Sequence, residues 1–370
     1  MKRVLVVGAG NGGFAAACDL ARRGFEVHMF NRSAGPLHPV IAHGGIRYNG
    51  VIGEGFAPVR LASTDMAEVI RDAELILVCV PATAHPFIAQ QLAPHLREDL
   101  PVILNPGGLL GSIAFLHALH EAGFRGSALV GETGTLTYIC RKSAPDGVTI
   151  TSVVKDVPFA AYPGRHTGEL TDRVRDVLPM IDPKPHILYP GFANVNAVLH
   201  PPGMILGAAW IEKSEGDFYF YYDAATPSVG RLMEAMDRER MAVARAWGVE
   251  ADPLPDLLAR IGSTTSEAAA SGDYMRVLKE SGPNRYIKAP ASLDHRYMHE
   301  DIAIGVVPMA DLGRACGVPT PVLEAVVTVA STVMGRDYRS EGRTLAQFGL
   351  AGKTPQEVLK WLQDGTHLST

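Results

Sequence analysis

Residues 1–33 read MKRVLVVGAGNGGFAAACDLARRGFEVHMFNRS, and their order decides the fold. Residues 4–7 form a short apolar run cut off by glycine, as in a strand buried on both faces. Residues 14–23 then have helical spacing and stop at Gly24, and 25–30 supply a second strand. Between the first strand and the helix, Gly8-Ala9-Gly10-Asn11-Gly12-Gly13 fits G-x-G-x-x-G. Alone that pattern is a weak signal, but between a strand and a helix it predicts a dinucleotide site. Gly8 permits the tight turn, Gly10 lets backbone approach a pyrophosphate, and Gly13 lets helix pack on strand. Asn11 and Gly12 complete the loop. The phosphates are expected at the helix N-terminus, where N–H groups and the helix dipole favour negative charge.

The second strand runs out into Asn31-Arg32-Ser33. About twenty residues past such a loop, NAD sites usually carry an acidic residue that grips the ribose hydroxyls. Here Asn31 is neutral and Arg32 cationic, so a ribose 2′-phosphate is welcomed rather than repelled. Arginine pairs with phosphate through two parallel hydrogen bonds and can lie flat against adenine, and Ser33 adds a hydroxyl. NADP(H) is the preferred cofactor. NAD(H) stays open, because Asn31 can still bond a ribose hydroxyl.

Further strands are expected at 75–80, ended by Pro81, at 102–104, ended by Asn105-Pro106-Gly107-Gly108, and at 127–130. Helical patterns at 66–71, 85–96 and 112–122 separate them. This alternation predicts an α/β fold with a doubly wound parallel sheet of Rossmann type. Residues 148–159 read as further strand, an antiparallel edge of the same sheet. Val80 and Pro81, with Asn105 and Gly107, lie at the carboxyl ends of strands and are expected to line the nicotinamide half of the cofactor. From about Pro190 the character changes, with helices expected at 192–211, 227–247, 253–263, 301–316, 321–334 and 355–363. Residues 1–184 are thus read as the cofactor-binding domain and 185–370 as a mostly α-helical domain.

The formal net charge of −5 argues against nucleic acid or an anionic membrane as the main partner. No apolar stretch is long enough to span a bilayer. Met-Lys-Arg leads straight into the first strand, so no cleavable signal peptide is expected. Cys18, Cys79, Cys140 and Cys316 are scattered, as for free thiols in a reducing cytoplasm. His38, His43 and His85 show no ligand spacing, and no metal is expected.

Two segments of the second half carry chemistry. In Asn194-Val195-Asn196-Ala197-Val198-Leu199-His200-Pro201-Pro202-Gly203, Asn196 and His200 lie four residues apart and share a helix face. The two prolines are expected to disfavour helical geometry at His200, either re-aiming it or kinking the helix for packing. In Leu293-Asp294-His295-Arg296-Tyr297-Met298-His299-Glu300-Asp301-Ile302, Asp301 stands just ahead of an apolar helix, where aspartate is a preferred N-cap. By local pattern Arg296 can equally be a solvated surface residue.

The chain resembles the octopine/nopaline dehydrogenase family, the opine dehydrogenases. The likeness runs through GAGNGG, LVCVPATAHPFIAQQLAPHL, NPGG, GETGTLTYICR, NAVLHPPGMILGA, RYMHEDIAIGVVPM and GVPTPVLEAVV, nearly the whole length. It implies reductive condensation of a 2-oxo acid with an amino acid or other amine through an imine, giving an N-(carboxyalkyl) amino acid. It further implies that His200 is the catalytic histidine, Asp301 the acid that orients it, and Arg296 the arginine that holds a substrate carboxylate. Asn196, one turn from His200, is placed to position substrate or nicotinamide, and Arg141 to meet a second carboxylate. The alternatives are a 2-oxo acid/2-hydroxy acid oxidoreductase that needs no amine, and a non-catalytic NADP(H)-binding regulator. Small-molecule substrates are the expected partners, and the apolar helical faces suit a homodimer.

Overall fold

The fold begins with β1 (Arg3–Val7) and its glycine loop. The computed structural model describes residues 2–365. The other strands are β2 (Glu26–Phe30), β3 (Gly45–Gly50), β4 (Gly55–Pro58), β5 (Leu61–Ser63), β6 (Leu75–Val78), β7 (Val102–Leu104), β8 (Val130–Thr133), β9 (Tyr138–Ala144), β10 (Gly147–Val153), β11 (Val157–Tyr162) and β12 (Ile181–Pro183). The main sheet runs β12-β11-β8-β7-β6-β1-β2-β5. From β5 to β8 all pairs are parallel. Numbered among themselves these six strands read 3-2-1-4-5-6, the doubly wound dinucleotide-binding order. The apolar stretches of β1, β6 and β7 are fully buried because helices cover both faces of such a sheet.

Two details differ from the sequence reading. The 148–159 stretch is not one strand. It divides into β10, which belongs to a separate sheet ordered β4-β3-β10-β9, and β11, which pairs antiparallel with β8. The edge of the main sheet is β12 instead. The small sheet was hidden because its strands are irregular in hydrophobic pattern and its two hairpins, β3–β4 and β9–β10, are joined only through β3 and β10, where Arg47 pairs with Gly147. Its inner face covers the helix Asn11–Arg22, with Ile46, Ala57, Cys140 and Val148 joining the core around Phe14 and Ala17.

The chain folds as two compact units. The first comprises residues 2–107, 111–190 and 362–365, and the second 108–110 and 191–361. Among the described residues the second unit contains helices and no strand beyond an isolated bridge between Tyr219 and Lys288. The single helix expected over 192–211 is three, Leu188–Ala193, Asn196–Leu206 and Ala208–Ser214. Arg240, fully buried on the helix Pro227–Ala246, braces their start. It pairs with Asp237 at 2.7 Å and donates to the Phe192 carbonyl at 2.6 Å. Breaking such a buried pair from one side costs about 3–5 kcal/mol, so this scaffold is rigid. Among the described residues no helix is long and apolar enough to cross a membrane.

Candidate active site

In the first unit the glycine loop has the geometry a dinucleotide needs. Gly8 has φ +111°, a backbone conformation that favours glycine, and lies against Cys79 and Val80. A Cβ on Gly13 would collide with the Gly8 carbonyl, so helix and strand meet there only because the side chain is missing. Gly10 is different. Apart from its chain neighbours, nothing comes within 4 Å of where its Cβ would be. Protein packing therefore does not require glycine there, whereas close approach of a ligand does. The helix Asn11–Arg22 has no acidic residue in its first turn and no side-chain cap at Gly10, leaving its N-terminus suited to phosphate.

Asn31 does more than stand in for an acid. Its Oδ1 accepts from the Ala9 N–H at 3.1 Å, and its Nδ2 donates to the Ser33 carbonyl and hydroxyl at 2.9 and 3.2 Å. It thus ties the end of β2 to the glycine loop. Arg32 is exposed and makes no ion pair among the described residues; its guanidinium carbon lies 6.0 Å from the centre of the Phe87 ring. These residues fit a dinucleotide.

Other expected cofactor contacts are engaged within the protein. Asn11 Oδ1 accepts from the Lys142 N–H at 2.9 Å. Gly12 faces the Leu136 side chain and Gly107 the Glu132 side chain. Asn105 is fully buried, donating to Thr137 Oγ1 and accepting from the Thr133 hydroxyl, both at 3.0 Å. Its side chain therefore holds β7 to the following strand, and only its neighbourhood reaches the ligand edge. Pro81 is exposed beyond β6, and Arg141 is exposed on β9. Cys18, Cys79 and Cys140 are free thiols that burial pushes up to about 12, so they are chemically inert at neutral pH.

In the second unit the structure brings His200, Asp301 and Arg296 together. His200 is only 3% exposed, and its Nδ1 lies 2.6 Å from Asp301 Oδ2. The helix Asn196–Leu206 runs through Pro201 and Pro202 without ending, so the expected break at His200 does not occur. Pro201 and Pro202 lack the N–H groups that would bond the carbonyls of Ala197 and Val198, and the helix continues across the two missing bonds. Asn196 opens this helix, its N–H held by Asn194 Oδ1 at 3.2 Å.

Asp301 is not an N-cap. The helix starts five residues earlier, at Arg296–Glu300, where His295 accepts from the Tyr297 N–H. Asp301–Val306 then forms a π-helical turn before the helix Val307–Cys316. The cause is local: Pro308 has no N–H and its ring crowds the carbonyl four residues back, which a wider turn relieves. The π turn presents Asp301 and Gly305 to the His200 helix, one turn apart. A Cβ on Gly305 would collide with that of Ala197, three residues before His200. Close contact of the two helices at Ala197 and Gly305 thus sets the His200–Asp301 distance. Arg343 N–H donates to the Ala303 carbonyl at 3.0 Å, satisfying part of the irregular turn.

Burial pushes the Asp301 carboxyl up to about 8, opposed by the Arg296 guanidinium. The raised value places a proton at the 2.6 Å contact between Asp301 Oδ2 and His200 Nδ1 around neutral pH. Arg296 keeps a side chain 46% exposed, 3.6 Å from Glu300. Burial disfavours its charge, but Glu300, Tyr297, Asp301 and Tyr221 together more than offset that and raise it above the usual guanidinium value. A permanent, partly exposed cation beside a buried proton-holding pair suits an anionic substrate.

Tyr221 and Tyr297 escaped the sequence reading. The Tyr221 hydroxyl is 2.7 Å from His200 Nε2 and 3.0 Å from the Tyr297 hydroxyl. The Tyr297 ring stacks on the imidazole, centroids 3.7 Å apart and planes 15° from parallel. The run Phe218-Tyr219-Phe220-Tyr221-Tyr222 was the available signal, but such a run reads equally as core. Among the described residues no cluster of three His, Cys, Asp or Glu could hold a metal.

A glycine loop on a 3-2-1-4-5-6 sheet, with a helical unit carrying a buried His–Asp pair and an adjacent arginine, defines a nicotinamide-dependent dehydrogenase. Residues 183–334 match the α-helical domain of NAD/NADP octopine/nopaline dehydrogenases, and residues 4–120 match ketopantoate reductase PanE/ApbA. The chain is 34% identical to the opine dehydrogenase of Arthrobacter sp. strain 1C, over 95% of this chain and 96% of that one. It is 25% identical to vitopine synthase of Allorhizobium ampelinum, over 97% and 98%. Octopine dehydrogenase in complex with NADH and agmatine superposes with a TM-score of 0.74 at 18% identity, covering 99% of both chains. NADP+-bound yersinopine dehydrogenase gives 0.73 at 15% identity, covering 98% of both. The chain belongs to the opine dehydrogenase family. It is an NAD(P)-dependent oxidoreductase acting on CH–NH groups, condensing a 2-oxo acid reductively with an amine.

Proposed function

We propose that this enzyme is an NADPH-preferring opine dehydrogenase in which His200 and Asp301 handle the proton and Arg296 holds a substrate carboxylate. The observation that carries the reading is the buried His200–Asp301 pair, at 2.6 Å, beside the partly exposed Arg296. The first unit (in domain terms residues 1–184) binds the cofactor through Gly8, Gly10, Gly13 and the N-terminus of Asn11–Arg22. NADPH, when bound, supplies the hydride. Arg32 and Ser33 favour a ribose 2′-phosphate, because an exposed guanidinium without an acidic partner is available to it.

In the α-helical domain, proposed as residues 185–370, Arg296 fixes the oxo acid or amino acid by its carboxylate, orienting the carbon that is reduced. His200, held as imidazolium by Asp301, donates a proton in the reductive direction and accepts one in the reverse. Asn196 orients the substrate from one turn before His200, and Arg141 serves a second carboxylate. Phe220, Tyr221 and Tyr297 wall the imidazole from water, which strengthens each electrostatic contact there. The enzyme works in the cytoplasm, in keeping with its free thiols. It acts as a homodimer, for which the exposed Val329 and Val333 on Pro321–Met334 offer apolar surface.

The test is NADPH oxidation by the purified enzyme with pyruvate and an amino-acid pool, omitting each in turn, with NADH in parallel. Oxidation that needs both oxo acid and amine, and is faster with NADPH, is the expected result. Oxidation with pyruvate alone, or a preference for NADH, overturns the corresponding part of the proposal.

A further inference from the structure

We propose that the Tyr221 hydroxyl, rather than the imidazole itself, exchanges the proton with the substrate, as the outer end of an Asp301–His200–Tyr221 relay. The inference rests on the reading of His200 and Asp301 as the proton-handling pair. Both imidazole nitrogens are engaged: Nδ1 with Asp301 at 2.6 Å and Nε2 with Tyr221 at 2.7 Å. One face of the ring is covered by Tyr297, and Phe220 stands tilted at 6.3 Å. His200 and Tyr221 are both buried, 3% and 6% exposed, and the tyrosine hydroxyl occupies the ring nitrogen that Asp301 leaves, so a substrate that reaches this nitrogen meets the hydroxyl or must first displace it.

Displacement is disfavoured by how Tyr221 is held. The Phe220 N–H donates to the Ile287 carbonyl at 2.9 Å, and the Asp223 N–H to the Tyr219 carbonyl at 2.7 Å. Asp223 Oδ2 in turn accepts from the Tyr219 N–H at 2.7 Å. The Phe220 ring packs on Gly203, where a Cβ would lie 2.9 Å from it. Gly203 is one turn beyond His200, so the glycine that admits Phe220 also brings Tyr221 to the imidazole. The segment is thus anchored on both sides of Tyr221.

The relay balances without any change of oxidation state. The Tyr221 O–H bond breaks as its proton passes to the acceptor atom of the substrate. His200 Nε2–H breaks as a new O–H bond forms on Tyr221, leaving neutral imidazole beside the Asp301 carboxylate. In the oxidative direction the same steps reverse. Tyr297, with its hydroxyl 3.0 Å away, supports the Tyr221 oxygen while its charge is unbalanced, and Arg296 lies 5.3 Å from the Tyr297 ring. Only the outer hydroxyl has to face the substrate, so the charged pair stays dry.

The experiment compares Tyr221→Phe and Tyr297→Phe with wild type in the full-length enzyme. It uses NADPH, pyruvate and the amino acid that supports wild-type turnover, and reads NADPH affinity from fluorescence. Wild-type turnover is established first, so a failure of the functional reading shows there and a failure of the relay only in the variants. The relay predicts that Tyr221→Phe lowers kcat a hundredfold or more, as for a lost acid–base group worth about 10²–10⁴, while NADPH binds as before. Tyr297→Phe is expected to lose less. A smaller change or a rise in Tyr221→Phe makes the hydroxyl a resting partner that substrate displaces, and overturns the relay. A larger loss in Tyr297→Phe than in Tyr221→Phe assigns the exit to Tyr297 and overturns it equally.

Discussion

Replacing Asp301 by asparagine keeps the shape of the proton-handling pair and removes its charge. In the wild type burial pushes the carboxyl up to about 8, and the proton is shared across the 2.6 Å contact with His200. The proton is therefore bound below about pH 8 and lost above it. The reductive reaction, which consumes a proton, should lose kcat as pH rises through about 8, and the oxidation should gain. In Asp301→Asn the titrating carboxyl is gone and its charge-assisted hydrogen bond to His200 is replaced by a neutral one. Losing such a bond costs about 1.5–3 kcal/mol, which predicts a fall in reductive kcat of roughly 10- to 150-fold near pH 7.5. The assay is kcat against pH from 5 to 9 with saturating NADPH, for wild type and Asp301→Asn. The limb near pH 8 should be absent from the variant, which has no carboxyl to titrate. A variant within threefold of wild type at pH 7.5, or a high-pH limb that does not move, would refute the coupling.

Arg32→Ala should weaken NADPH use by about 10- to 100-fold in kcat/KM, the worth of one charged phosphate contact of ~1.5–3 kcal/mol, and leave NADH nearly unchanged; equal losses with both cofactors would place Arg32 away from the 2′-phosphate. Gly10→Val, at a position open to solvent, should leave Tm within a few degrees while cofactor affinity drops sharply. Gly13→Val, which meets the Gly8 carbonyl, should instead unfold the first unit, as circular dichroism would show. Gly305→Val should separate the π turn from the His200 helix at Ala197 and cut kcat at least tenfold, with the NADPH Kd unchanged if the cofactor is held by the glycine loop as proposed.

Much of this protein is local and therefore legible in order along the chain. Glycines at 8, 10 and 13, an apolar run before them and a helix after them determine the dinucleotide loop, because each acts through its own backbone. Strand–helix alternation determines the doubly wound sheet, and β2 and β7 fall where the apolar runs place them. His200 stood out by its place before two prolines on an apolar helix, and Arg296 by the family resemblance alone. The small β4-β3-β10-β9 sheet did not, since its two hairpins become one sheet only where β3 meets β10, a pairing that no local window spans. The role of Asp301 likewise could not be read locally: aspartate before an apolar run caps a helix far more often than it faces a histidine. Here the helix begins earlier, and the π turn ahead of Pro308 carries Asp301 to a partner 101 residues away in sequence. Tyr221 became visible only when Gly203 let Phe220 against the His200 helix. The sequence by itself determined the cofactor loop, the sheet and the residue types of the chemistry. Tertiary structure alone decided which of them share a proton, because that depends on two helices meeting at Ala197 and Gly305 and on burial that no single segment can create.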